Sequence, residues 1–191
     1  MFRAARRRCD IVTSTNHPLP GELSIASDRL ALVACSIAMA HGIIHDRPRA
    51  EALLGATIPA EWPLPALRGF VPFYIQMLAG DPAMLGWGMW LVVHAADRVV
   101  IGDVGFKGRS DGSDTVDIGY SILPAYRNQG YAYEAARALI DWAFEQPGIA
   151  RVIATCLPSN APSIRVLEKL GMQRTGTTAS GMLAWTLAKG S

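Results

Sequence analysis

Arg127, Gly130 and Ala132 stand close together in YRNQGYAYEA (residues 126–135), a combination suited to holding an oxyanion. The stretch follows DIGYSILP (residues 117–124), which alternates like a strand, and precedes ARALIDWAF (residues 136–144), whose apolar residues recur at helical spacing. A helix start presents amide N–H groups without internal partners and the positive end of the helix dipole. Gly130 lets the backbone approach a ligand closely, because no Cβ obstructs it. Ala132 is small where the first turn faces the same anion. Arg127 adds a charge and a fork that matches phosphate oxygens. On these ten residues alone the junction reads equally well as a plain helix start beside a surface arginine. Two other phosphate loops are excluded. No G-K-[ST] ending follows, and Gly102, Gly105 and Gly108 in GDVGFKG are equally spaced, unlike the dinucleotide fingerprint.

A second constellation lies in LPSNAPSIRVLEKLGM (residues 157–172), where Asn160 and Ser163 fall at the mouth of a helix directly after a strand. Asn160 suits an N-cap, worth about 1 kcal/mol. A side-chain amide there is equally suited to holding a peptide-like part of a ligand. In TVDIGYSI (residues 115–122) the two-residue alternation puts Asp117, Gly119 and Ser121 on one face and Val116, Ile118, Tyr120 and Ile122 on the other.

These groups need a scaffold, and the chain supplies the elements of one. Residues 28–34 read as a short strand, and Ser36 caps a helix after it. RPRAEALLG forms another helix, ended by Gly55, and a proline-broken stretch follows through Pro59, Pro63 and Pro65. Residues 66–80 are helical by length and apolar content, with Pro72 implying a kink or a late start. From Trp87 two β-rich runs flank ADR as a hairpin. After TVDIGYSI come a helix to about Gln146, the strand RVIATCL, the helix APSIRVLEKLG and weaker strands over residues 173–176 and 182–187. The order describes a mixed α/β domain with an antiparallel portion.

The totals agree with one domain. The 191 residues are 50% apolar and 18% charged, which excludes a disordered chain. A net charge of +2 is too small for a nucleic-acid binder; the basic RAARRRC at the start reads as a solvated tail. Residues 1–27 are expected to be a poorly ordered basic leader, and residues 28–191 the folded domain. No apolar run reaches the ~18 residues of a membrane span, and no signal peptide is legible. Cys9, Cys35 and Cys156 are odd in number and far apart, so they read as reduced thiols in a cytoplasmic protein, two of them in the core. His41 and His45 have a metal-compatible spacing on a helix but lack H-E-x-x-H and a third ligand, so no metal is expected.

RNQGYA resembles the R/Q-x-x-G-x-A acyl-CoA loop of the GNAT acyltransferases. IGDVGFKG, DIGYSILPAYRNQGYAYEA and NAPSIRVLEKLGM follow one another in that superfamily's order. The wording is similar to the branch containing the ribosomal-protein N-terminal alanine and serine acetyltransferases. The resemblance implies a mixed, mostly antiparallel sheet of about six or seven strands flanked by helices, splayed between its fourth and fifth strands to admit acyl-CoA. It implies that the backbone of Tyr120, Ser121 and Ile122 pairs with pantetheine. It places Arg127, Asn128, Gln129, Gly130, Tyr131 and Ala132 around the pyrophosphate, with Tyr133 opening the helix behind them, and Asn160 near the thioester.

The activity implied is transfer of an acetyl group from acetyl-CoA to a primary amine by direct attack, in a monomer or homodimer that needs neither nucleic acid nor membrane. Asp117 falls where relatives carry a glutamate and is the expected base, acting through water; a surface carboxylate is the competing reading. The tyrosine that protonates the leaving thiolate in several relatives corresponds here to Leu167, which leaves Ser163 as the nearby hydroxyl; Tyr120 and Tyr131 are also available but better suited to the core or a lid. Without that acid the site favours α-amines, roughly 10–20% neutral at pH 7, over lysine at roughly 0.04%. The alternative is a catalytically silent acyl-CoA sensor. Trp62, Phe70, Phe73 and Tyr74 lie where relatives form the acceptor pocket, or else in the core.

Overall fold

A computed structural model of the chain describes residues 23–109 and 112–190, which form one eight-stranded sheet with helices on both faces. The chain enters through β1 (Ser24–Ala26) and β2 (Leu30–Ala34). It then runs through α1 (Ile37–His45), α2 (Arg47–Leu54) and α3 (Pro65–Gly80). Three antiparallel strands follow, β3 (Met89–His94), β4 (Val99–Phe106) and β5 (Thr115–Ile122). Helix α4 (Tyr131–Glu145) crosses over to β6 (Arg151–Cys156), and α5 (Ala161–Lys169), β7 (Gln173–Thr177) and β8 (Leu183–Ala188) complete the fold.

The strand order is β1-β2-β3-β4-β5-β6-β8-β7, and β5–β6 is its one parallel pair. A helical crossover joins those two strands, and parallel neighbours need such a connection. Ser36 accepts from the Met39 amide to cap α1, as its position after β2 suggests. Helix α3 does not start late at Pro72 but runs through it. Pro72 and Arg68 are exposed, so the carbonyl that loses its helical partner reaches water.

Two cores flank the sheet. Leu30, Leu32, Trp90, Val92, Ile101, Val104, Ile118 and Ile122 face α4 and α5. Ala31, Val33, Leu91, Val93 and Val100 face α1, α2 and α3. Helix α4 turns Ala135, Ala136, Ala138 and Ala143 inward, small residues that let its axis lie close to the strands. Between β3 and β4 the register shifts, with Val92 opposite Gly102 but Val93 opposite Val100, so Ile101 is an extra residue in β4.

Two expectations are corrected in detail. The sheet has eight strands rather than six or seven, because Ser24–Ala26, inside the expected leader, pairs with β2 (Ser24 opposite Val33). Counting β1 also places the splay between the fifth and sixth strands. Residues 1–22, with Cys9 and the basic run, lie outside the described residues. Cys35 and Cys156 are buried. No helix among the described residues is long and apolar enough to cross a membrane.

Candidate functional site

Strands β5 and β6 pair only over Thr115–Asp117 against Arg151–Ile153, although β5 continues to Ile122 and β6 to Cys156. Beyond Asp117 the two strands part, and β5 presents an unpaired edge to the gap. Backbone alternation identifies the groups on it. The Leu123 amide donates to Ile101 and the Asp117 carbonyl accepts from Lys107, so the odd-numbered residues of β5 turn their main chain toward β4. Tyr120 and Ile122 therefore present theirs to the gap, whereas Ser121 does not.

At the end of that edge the chain makes a short 3₁₀ turn (Pro124–Tyr126) and enters α4. Gly130 occupies the N-cap position at φ +85°, where a Cβ is disfavoured, and no side chain caps the helix. The amides of Tyr131, Ala132 and Tyr133 thus begin a helix of 15 residues without internal acceptors. Asn128 also has a positive φ, +61°. Arg127 is exposed, and its Nε donates to the Ile122 carbonyl at 2.8 Å, leaving its terminal nitrogens uncommitted among the described residues. Gln129 donates from its side chain to the Ala125 carbonyl. Tyr131 is buried, Ala132 half-buried, and Tyr133 exposed.

Arg29, in the β1–β2 turn, was not legible as a site residue. Its Nη1 donates to the Gln129 carbonyl at 3.0 Å, its guanidinium pairs with Glu134 at 2.7 Å, and it lies 4.2 Å from the centroid of the Tyr131 ring. Glu134 also accepts from the Ser27 hydroxyl and the Arg29 amide. Burial pushes the Glu134 carboxyl up, but these hydrogen bonds and the Arg29 charge outweigh it, and its pKa is lowered. This contribution to stability is present above the ordinary carboxylate pKa and is lost as pH falls through the lowered one. Arg29 fixes the loop and adds positive charge beside it. Arg29→Ala is expected to weaken binding of a diphosphate ligand roughly tenfold, about 1.4 kcal/mol, by titration calorimetry at low salt. An unchanged affinity would show that the loop holds its shape unaided.

On the α4–α5 side of the gap, Asn160 caps α5 by accepting from the Ser163 amide at 3.2 Å. The Tyr120 hydroxyl lies 3.0 Å from Ser163 Oγ, so the hydroxyl pair bridges β5 and α5. Burial raises the Tyr120 pKa, which keeps the phenol protonated. Leu167 is buried in the core and carries no proton to give.

On the opposite face, Asp117 forms an ion pair with Lys107 at 2.6 Å. The expected base is thus already matched by a cation, and its other oxygen is buried without a partner. Four residues along the strand, Ser121 Oγ donates to Asp103 Oδ2 at 2.6 Å, and Trp62 Nε1 donates to the same oxygen at 3.0 Å. Trp62 is fully buried in a loop tied down by Arg47, which donates to the carbonyls of Ile58, Pro59 and Trp62. Tyr74 is buried and donates to the Cys35 carbonyl, whereas Phe73 is exposed. The signal for Asp103 was in the sequence: a lone carboxylate in the apolar run VVIGDVGF. The rings of His41 and His45 lie 6.2 Å apart, and among the described residues no group of three or more metal-ligating side chains forms.

A strand pair that opens onto an uncapped helix start is the arrangement implied by the loop motif, and the family model decides the matter. Residues 51–173 match the acetyltransferase (GNAT) domain. The chain belongs to the GNAT acetyltransferase family. An uncharacterized N-acetyltransferase of Bacillus subtilis (strain 168), YjdG, is 29% identical over 147 residues, 77% of this chain and 88% of that protein. Two solved structures share the GNAT fold. The ribosomal-protein-S5-alanine acetyltransferase of Vibrio fischeri is 18% identical, with a TM-score of 0.62 over 88% of this chain and 98% of that one. RimJ of Mycobacterium smegmatis, solved in complex with CoA-disulfide, is 20% identical, with a TM-score of 0.58 over 84% of this chain and 82% of that one. As a GNAT protein the chain is an acetyltransferase, and the residues above are its candidate machinery.

Proposed function

We propose that the chain transfers an acetyl group from acetyl-CoA to a primary amine, either a protein N-terminal α-amine or a small amine, by direct attack. The observation that carries this is the parting of β5 from β6 after Asp117 and Ile153, with the uncapped start of α4 at its end. The amides after Gly130, with Arg127 and Arg29, receive the pyrophosphate. Tyr120 and the Ile122 amide pair with pantetheine along the open edge. The Ile122 carbonyl is not counted, because Arg127 already occupies it. Asn160 stands at the far wall of the gap, where its side chain is shared between capping α5 and the thioester end of the ligand. The Tyr120–Ser163 hydroxyl pair replaces the absent tyrosine as the proton source for the departing thiolate.

Acetyl-CoA is expected to bind in calorimetry and to release thiol with at least one member of a panel of N-terminal peptides, polyamines, amino acids and aminoglycosides. Neither heat nor thiol would overturn the reading. The buried Leu167 favours a second reading, a silent acyl-CoA sensor, which predicts binding without turnover on every amine.

A further inference from the structure

The face of β5 toward α1, α2 and α3 contains groups that the acyl-CoA side does not use. Gly119 is exposed there, and a Cβ built on it would meet nothing within 4 Å. The space above the middle of the strand is therefore open, flanked along β5 by Asp117 and Ser121. Asp117, two positions to one side, has Lys107 as its counter-ion. Asp103 and Ser121 close the other side, and the two bonds to Asp103 both fall on Oδ2, from Trp62 and Ser121. Its Oδ1 has no hydrogen-bond partner among the described residues and is not sealed from solvent. Both donors to Asp103 are neutral, so this half-buried carboxylate lacks a cation among the described residues. A charge removed from water is stabilised by an opposite one, and the natural complement is an ammonium group.

Building on the acetyl transfer proposed above, we propose that Asp103 holds the acceptor's primary ammonium in the cleft over Gly119 and takes its proton. Oδ1 accepts one proton from the ammonium. The freed nitrogen lone pair attacks the thioester carbonyl carbon and forms the C–N bond. The carbonyl re-forms as the C–S bond breaks, with its electron pair left on sulfur. The Tyr120–Ser163 pair gives a proton to that sulfur and regains one from the surplus N–H through solvent, and Asp103 returns its own to solvent, giving an amide and the free thiol.

Ser121 lies on the strand that borders the gap and Asp103 one strand behind, about 4.8 Å across the sheet. Alternation along β5 then separates the two proton-handling sites. Asp103 receives a proton on one face, and the Tyr120–Ser163 pair supplies one on the other. Burial raises the Asp103 pKa, partly offset by the bonds from Ser121 and Trp62, which moves the carboxylate toward the range of an effective base. The Arg47 contacts make Trp62 a positioning residue, since its indole reaches the acceptor only through Asp103.

Asp103→Asn tests the assignment, because asparagine can still accept from both Trp62 and Ser121. Coenzyme A affinity is measured by calorimetry, acetyl transfer with an alanyl tripeptide amide, spermidine and glucosamine, and amine docking by the Trp62 indole ¹⁵N–¹H resonance. N-acetylalanyl tripeptide amide serves as the control. The expected result is a fall in acceptor kcat/KM of roughly 100-fold or more. Coenzyme A affinity is kept, and the amine-induced shift of the Trp62 resonance is lost. Transfer by the variant within about threefold of wild type would overturn this inference alone. So would a wild-type protein that binds coenzyme A but shows neither turnover nor a shifted Trp62 resonance with any of the amines. Absence of coenzyme A binding in the wild type would overturn the proposed function and this inference with it.

Discussion

Replacing Gly130 by aspartate should abolish measurable coenzyme A binding while the protein stays folded. Gly130 sits at φ +85°, so any side chain there costs about 1–2 kcal/mol, a loss of roughly 2–4 °C per kcal/mol in Tm for a chain of this size. The larger effect is electrostatic. The carboxylate would stand at the mouth of α4, at the position proposed for a diphosphate, and two like charges about 4 Å apart at an effective dielectric near 20 repel by roughly 4 kcal/mol. A Cβ at residue 130 also lies 3.4 Å from Arg29 Nη2, so the new carboxylate would compete for the cation that holds Gln129 and Glu134. Together these effects correspond to an affinity loss of roughly 1,000-fold. Gly130→Ala carries the backbone strain without the charge and should lose far less. Calorimetry on both variants separates the two contributions, and wild-type affinity in Gly130→Asp would place the diphosphate elsewhere.

Gly119→Leu should have the opposite signature. The main chain of residue 119 pairs toward β4, so the β5 edge proposed for pantetheine is untouched. The added Cβ meets no other atom within 4 Å, so the backbone accepts a side chain there. Replacing glycine inside a strand also removes backbone entropy from the unfolded chain, and stability should rise by roughly 0.5–1 kcal/mol. The leucine would fill the cleft beside Ser121 and Asp103, and acceptor KM should rise roughly 100-fold with coenzyme A affinity unchanged, about 2.7 kcal/mol lost on the amine side alone. Steady-state kinetics with saturating acetyl-CoA checks it. An unchanged KM would mean that the acceptor enters by another route.

The two variants probe the parts of the site that the sequence revealed unequally. The proposed anion loop was readable because its chemistry is local: Arg127, Gly130 and Ala132 lie within six residues, and the glycine marks a conformation that few residues adopt. The strands and helices were readable from periodicity, and Ser36 and Asn160 from their places before helices. What escaped is set by contacts distant in sequence. Arg29 meets Glu134 across 105 positions, and Trp62 meets Asp103 across 41. No spacing rule announces such pairs. Asp117 stands on the polar face of β5 where relatives carry a glutamate, but its partner Lys107, at the end of the preceding hairpin arm, has no signature in the local pattern. Pro72 suggested a kink or a late start, yet α3 runs through it because the proline lies on the exposed side.

The extra residue at Ile101 acts as a parity switch. Ahead of it Val100 points to α1, α2 and α3; after it Val104 and Phe106 point to α4 and α5, so the even positions exchange sides within four residues. Asp103 owes its outlook over the cleft to that exchange. With an unbroken zigzag from Val100 the same carboxylate would be aimed at Trp90 and Leu139, in oil. Variation in loop length elsewhere alters the rim of the molecule; a single insertion or deletion here would trade the polar and greasy surfaces of one strand.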